Sequence, residues 1–211
     1  MRTAFLPFSP PLIGEEEIAE VIDTLRSDWI TTGPKVKRLE QEFAAWVGAP
    51  AALALNSCTA AMHVALAALG IGAGDAVIST PMTFCSTIHV IEHVGARPIL
   101  VDVEPDTLNI DPLAVREYLE NGKGKGENGE GKGERGCIKA ILPVHLYGHP
   151  CDMDALLSIA GEHDLAIIED AAHAFPAKYK GRTIGSPAEC PPSTLNPQQS
   201  TSWGGHSSSG Q

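Results

Sequence analysis

The sequence predicts an α/β fold of three layers, αβα, around a mostly parallel sheet. Two observations carry this. From Ala51 onward, short apolar runs alternate with segments of helical spacing. Runs such as "DAVISTP", "RPILVDV" and "LAIIEDAAH" are too hydrophobic for either face of the strand to meet water, which is the pattern of strands covered by helices on both sides. A chain of 211 residues, 43% hydrophobic and 19% charged, can also bury a core of that kind.

The elements follow in order. After a proline-interrupted lead, "GEEEIAEVIDTLRS" sets Ile18, Val21, Ile22 and Leu25 at helical spacing, with three glutamates at the end where the helix dipole is positive. Thr31, Thr32, Gly33 and Pro34 break the chain, and Leu39, Phe43 and Trp46 mark a second amphipathic helix. Residues 1–50 are thus a lead and two helices ahead of the first predicted strand, "AALALNS". Then come the helix "TAAMHVALAALG", closed by Gly70, the strand "DAVISTP", the helix "STIHVIEHVG" and the strand "RPILVDV".

A short helix over residues 113–119 leads into "NGKGKGENGEGKGERG", residues 121–136, which holds nothing that could enter a core and is expected to be a flexible surface insertion. Its glycines are not anchored between a strand and a helix, which argues against a phosphate cradle. "CIKAILPVHLYG", a helix from Met153 to His163 and "LAIIEDAAH" resume the pattern, so that residues 51–185 form one α/β unit. Residues 186–211, rich in Pro, Ser, Gln and Gly without periodicity, are expected to be disordered.

Bulk properties narrow the function. A net charge of −11 sets the chain against nucleic acid and anionic membranes, which would repel it, and favours a small-molecule ligand. The five cysteines lack a C-x-x-C pair and fit neither a disulfide framework nor a zinc knuckle, so a reducing cytoplasm is expected. The first residues do not resemble a signal peptide, and no segment has the length and apolarity of a membrane span.

Ligands of parallel α/β sheets gather at the carboxyl ends of the strands. Three features fall there. "NSCTAA" sets Asn56, Ser57, Cys58 and Thr59 ahead of a helix, where hydroxyls and free amides could hold a phosphate, although Ser and Thr also cap ordinary helices. "TPMTF" ends a strand with Phe84, which could lie against a planar ring or simply enter the core. "AIIEDAAHA" delivers Asp170 and His173 from a fully apolar strand. A carboxylate so placed can hold a pyridinium nitrogen in its charged form, as a pyridoxal electron sink requires.

Together with "WITTGP", "NSCTAAMHVAL", "DVEPDTLNID", "PVHLYGHPCDMDAL", "IIEDAAHA" and "YKGRTIG", these residues resemble the DegT/DnrJ/EryC1/StrS sugar aminotransferase family of fold-type-I pyridoxal phosphate enzymes, over about residues 5–185. The resemblance implies the large domain of such an enzyme, in truncated form. It implies that Ser57, Cys58 and Thr59 surround the phosphate of pyridoxal 5'-phosphate, Phe84 stacks on its ring, Asp170 pairs with the pyridine nitrogen and His173 lies beside the ring. Thr31 and Thr32 would border the sugar pocket. The implied reaction transfers an amino group from an amino acid such as glutamate to a keto group of a nucleotide-linked sugar, in a homodimer when the chain is intact.

That chemistry needs a lysine, which the family carries after the "IG" hairpin in a segment resembling F-S-F-x-x-x-K. Here the Schiff-base lysine is absent, and Lys178 and Lys180, in the hairpin, are expected to face water. From Pro192 onward, permitted codons read one base earlier can give F-Y-S-Q-P-A-T-K-H-L-L-G, so two readings of the tail stand side by side, an out-of-frame continuation and a genuine terminus, which the coding DNA at Ser200 separates. The chain as printed is therefore expected to be inactive as an aminotransferase, and to expose apolar surface. Three other readings stand beside this one. Some family members dehydrate sugars with a histidine in the lysine position, and a chain without the lysine could bind a nucleotide sugar or partner as a pseudo-enzyme. "HVIEH" fits the H-x-x-E-H zinc helix through His89, Glu92 and His93, but lacks a downstream third ligand, so no metal is expected. Glu169 reads as a residue that caps or pairs structurally, and His145 and Tyr147 either line the site or end a strand.

Overall fold

The computed structural model describes residues 11–121 and 136–186, and the backbone of Thr194–Leu195. Two helices come first, α1 (Glu15–Arg26) and α2 (Pro34–Val47). The α/β unit then runs α3 (Cys58–Ala68), β1 (Asp75–Ser79), α4 (Cys85–His93), β2 (Arg97–Leu100), α5 (Pro112–Asn121), β3 (Cys137–Ile141), α6 (Met153–His163) and β4 (Ala166–Ile168). A hairpin of β5 (Lys178–Tyr179) and β6 (Arg182–Thr183) follows, and β7 (Thr194–Leu195) is the last described strand. The sheet has the order β2-β1-β3-β4-β7 with every pairing parallel, as the apolar runs predict.

Both faces of this sheet are covered, and the pleat divides the core in two. Ile78, Ile141 and Ile167 pack on one side with Val115 and Leu119 of α5 and Leu156 and Ile159 of α6. Their neighbours Val77, Ala140 and Ile168 pack on the other with Cys58, Met62 and Leu66 of α3 and Val90 and Ile91 of α4. Successive residues of a strand point to opposite faces, so a strand buried on both sides reads as an unbroken apolar run.

The structure departs from the sequence reading at three places. Residues 51–57, predicted as the first strand, join no sheet: Leu53 and Leu55 are 71% and 42% exposed, and the amide of Ala54 donates to the Glu40 carboxylate at 2.9 Å. An apolar run becomes a strand only where a neighbour takes its amides and carbonyls, and this one has no such neighbour among the described strands. Helix α1 forms with Glu15, Glu16 and Glu17 in its first turn, yet it buries no residue. Within the tail expected to be disordered, Thr194–Leu195 pairs in parallel with β4. The rest of that tail, its out-of-frame reading and residues 122–135 of the expected insertion lie outside the described residues.

Candidate active site

The carboxyl ends of β1, β3 and β4 meet the first turns of α3 and α4. Because Ile168 faces α3 and α4, the pleat sends Glu169 to the opposite side and returns Asp170 to that of Ile168. Asp170 is 5% exposed. Its backbone extends the sheet past β4: its amide donates to the Pro143 carbonyl at 2.8 Å and its carbonyl accepts from the His145 amide at 3.0 Å.

The Asp170 side chain collects donors from both helices. Oδ1 accepts the Cys58 thiol at 3.6 Å and the Ala172 amide at 3.2 Å, and Oδ2 accepts the Thr87 hydroxyl at 2.8 Å. Since Thr87 spends its proton on Asp170, the 2.7 Å contact between the two threonine hydroxyls runs from Thr83 to Thr87. An ionised carboxylate has about four acceptor positions. Among the described residues three are filled, which leaves one on Oδ2. A buried acid surrounded by donors, with one acceptor position left over, is suited to a cationic N–H donor such as a protonated heteroaromatic nitrogen.

Burial, and next the neighbouring Asp170 charge, push the Cys58 thiol far above its ordinary value, so it remains an S–H donor. That thiol is directed at the Asp170 carboxylate. Ser57 caps α3, accepting the Ala60 amide at 3.1 Å, so its ordinary capping role is realised. Its hydroxyl hydrogen is still able to donate outward. Thr59, half-buried in the first turn of α3, stands where the helix dipole favours an anion.

Phe84 is no core residue: it is 73% exposed at the head of α4, three residues before Thr87. His173 is exposed, with its ring parallel to that of Tyr147 (5° between planes, centroids 6.1 Å apart). Tyr147 adopts a left-handed conformation with φ 49°. Gly148, at φ 84°, follows it where a Cβ would stand 3.0 Å from the His173 carbonyl, so glycine is required by both conformation and space. Thr31 and Thr32 are exposed in the turn before α2, where the Trp29 indole donates to the Thr32 carbonyl at 2.9 Å. No described contact joins them to Asp170.

The groups that sequence reasoning missed are Thr83 and Thr87. Their spacing of four, across the start of a helix that follows a strand, was the available signal. Glu169 and His145 pair as buried partners, Oε2 to Nε2 at 2.8 Å. Lys180 forms an ion pair with Asp154 of α6, at the exposed surface. His89 and His93 lie on the exposed side of α4, and among the described residues no three His, Cys, Asp or Glu side chains are placed to hold a metal ion. No described helix is long and apolar enough to cross a membrane.

Residues 11–193 match the model of the DegT/DnrJ/EryC1/StrS aminotransferase family. The chain is 50% identical over 185 residues to the spore coat polysaccharide biosynthesis protein SpsC of Bacillus subtilis, covering 88% of this chain and 44% of SpsC. Among solved structures it is similar to S. venezuelae DesV in complex with a ketimine intermediate (37% identity, TM-score 0.69, 86% of this chain and 45% of that one). It is likewise similar to the PMP-form of the putative sugar aminotransferase Spr1654 from Streptococcus pneumoniae (38% identity, TM-score 0.73, 86% and 46%). The chain thus spans less than half the length of these relatives.

Proposed function

From the premise that this chain belongs to the DegT/DnrJ/EryC1/StrS aminotransferase family, we propose that it carries the pyridoxal phosphate half-site of a sugar aminotransferase. The reaction is transfer of an amino group from an amino acid such as glutamate to a keto group of a nucleotide-linked sugar. The single observation that carries this reading is the remaining acceptor position of Asp170. When bound, the cofactor supplies an electron sink, and it does so only while its ring nitrogen keeps a proton. In this chain Asp170 holds that proton by charge, while Thr87 and Cys58 fix the direction of the carboxylate. Phe84 covers one side of the ring and His173 lies beside it. Ser57, Cys58 and Thr59, at the start of α3, would hold the phosphate, and Thr31 and Thr32 would border the sugar.

The residues after β6 supply no lysine able to take and return the proton, and Lys180 is engaged with Asp154. These 211 residues by themselves are therefore expected to bind the cofactor without aminotransferase turnover. Four reduced cysteines among the described residues support a cytoplasmic setting. The exposed apolar residues of α1 support a homodimer in the longer enzyme.

Titration of the purified chain with pyridoxal phosphate, followed by fluorescence and by equilibrium dialysis, tests the reading. Wild type is expected to bind, and Asp170→Asn to bind about ten- to hundredfold more weakly, as expected for loss of a charge-assisted hydrogen bond. Equal affinity in the two proteins, or no binding by wild type, rejects it. Addition of glutamate to the complex is expected to yield no pyridoxamine phosphate; its appearance would refute the inactivity.

A further inference from the structure

The proposed chemistry uses Asp170 and leaves its neighbour unexplained. Glu169 is 7% exposed, a costly place for a carboxylate unless it is paired. Its partner, His145, is 1% exposed. The two ring nitrogens of His145 have different neighbours: Nδ1 accepts the Cys151 amide at 3.1 Å, and Nε2 lies 2.8 Å from Glu169 Oε2. An N–H donor aimed at Nδ1 requires a lone pair there, so the neutral ring carries its proton on Nε2 and donates it to Glu169. The tautomer is set by a backbone amide, and the ring plane by two bonds at opposite ends.

His145 is also the residue whose backbone amide donates to the Asp170 carbonyl, two residues after Pro143 accepts the Asp170 amide. The residue that Glu169 holds by its side chain is therefore the one that holds Asp170 by its main chain. Asn109, 1% exposed, fastens the far side of the same loop: it accepts the Leu146 amide at 3.1 Å and donates to the His149 carbonyl at 2.9 Å. That loop presents Tyr147 to His173.

We infer that Glu169 and His145 are a positioning pair: a buried carboxylate–imidazole bond on one face of the sheet that sets the backbone, and hence the carboxylate, of Asp170 on the other. No described hydrogen bond joins the pair to Cys58 or Thr87, the side chains that donate to Asp170, and the pair acts on Asp170 through the loop after β3. Glutamine in place of Glu169 keeps an acceptor for the Nε2 proton and alanine does not, so rescue by the conservative change separates positioning from mere filling of space.

The experiment uses the chain as it exists, with and without pyridoxal phosphate. Hydrogen exchange of the Asp170 amide is read by NMR in wild type, Glu169→Gln and Glu169→Ala, with the Ile141 and Ile167 amides as the measure of global stability. Exchange at Asp170 is expected to rise about tenfold relative to those core amides in Glu169→Ala, and to stay within about twofold of wild type in Glu169→Gln. Long-range nitrogen–proton correlations of the His145 ring are expected to show the Nε2–H tautomer in wild type. The cofactor arm alone rests on the proposed function: affinity is expected to fall with Glu169→Ala and to be kept with Glu169→Gln. If wild type binds no cofactor, the proposed function fails while the exchange arm still judges the pair. Unchanged relative exchange in Glu169→Ala, equal damage in both variants, or an Nδ1–H tautomer overturns the inference.

Discussion

Helices α1 and α6 are both amphipathic, of similar length, and end in a basic residue, yet their fates differ. Helix α6 buries Met153, Leu156, Ile159 and Ala160 against the sheet. Helix α1 buries nothing: Ile18, Val21, Ile22 and Leu25 are 41–65% exposed. Its described ties are to α2, through Lys35 to Glu20 and Asp23 at 2.5 and 2.8 Å and Arg38 to Glu20 at 3.0 Å, all exposed pairs. One helix is held by removal of apolar surface from water, the other by charges that water screens. Amphipathicity thus shows that a face seeks cover, and only the tertiary structure shows whether it has one.

The largest expected effect breaks the covered side of that comparison. Ile141→Ala, fully buried beneath α6, should lower stability by about 2–5 kcal/mol, read from the urea midpoint. Ile22→Ala on α1 should stay within about 0.5 kcal/mol. An equal loss in both would mean that α1 is covered in solution.

An intermediate effect concerns the screened side. Raising salt to about 0.5 M, or Lys35→Ala, should speed hydrogen exchange of α1 amides severalfold while leaving those of β1 and β3 unchanged, because exposed ion pairs are weakened by salt and apolar packing is not. Faster exchange in the strands as well would show that α1 and the sheet open together.

The smallest effect sharpens the point with pH. Arg116 of α5 and, second, Ser158 pull Glu162 of α6 down from its ordinary 4.5 to about 2. The folded value lies below the unfolded one, so this bridge contributes above about pH 4.5 and is lost as pH falls toward 2. Carboxyl NMR should place the Glu162 midpoint near 2, and Arg116→Ala should return it toward 4.5. Both groups are exposed, so the change in stability should be small beside that of Ile141→Ala.

How much of this was legible depends on what each residue needs. The strands β1 and β4 could be read because burial on both faces leaves an unbroken apolar run, whereas β2 and β3, apolar enough to be read as strands, each keep exposed residues; Asp170 stood out as a charge at the end of β4. The same grammar suggested a strand over residues 51–57, where the apolar residues are present but no described strand pairs with them. Asp170 also needed Thr87, but a threonine on a helix can face any direction until the helix is docked. The pleat could have told that Glu169 and Asp170 diverge. That His145 waits on the far side, its tautomer set by the Cys151 amide, depends on a loop closing over the sheet, which no local pattern records.

The divergence of these two acids has an implication for how such a strand can vary. Side-chain direction alternates residue by residue, so losing or gaining a single position within β4 would swap the partners of the pair. Asp170 would then meet an imidazole and Glu169 a thiol and a hydroxyl. Substitutions can accumulate along this segment, but its length between the last sheet contact and the acid is not free to drift.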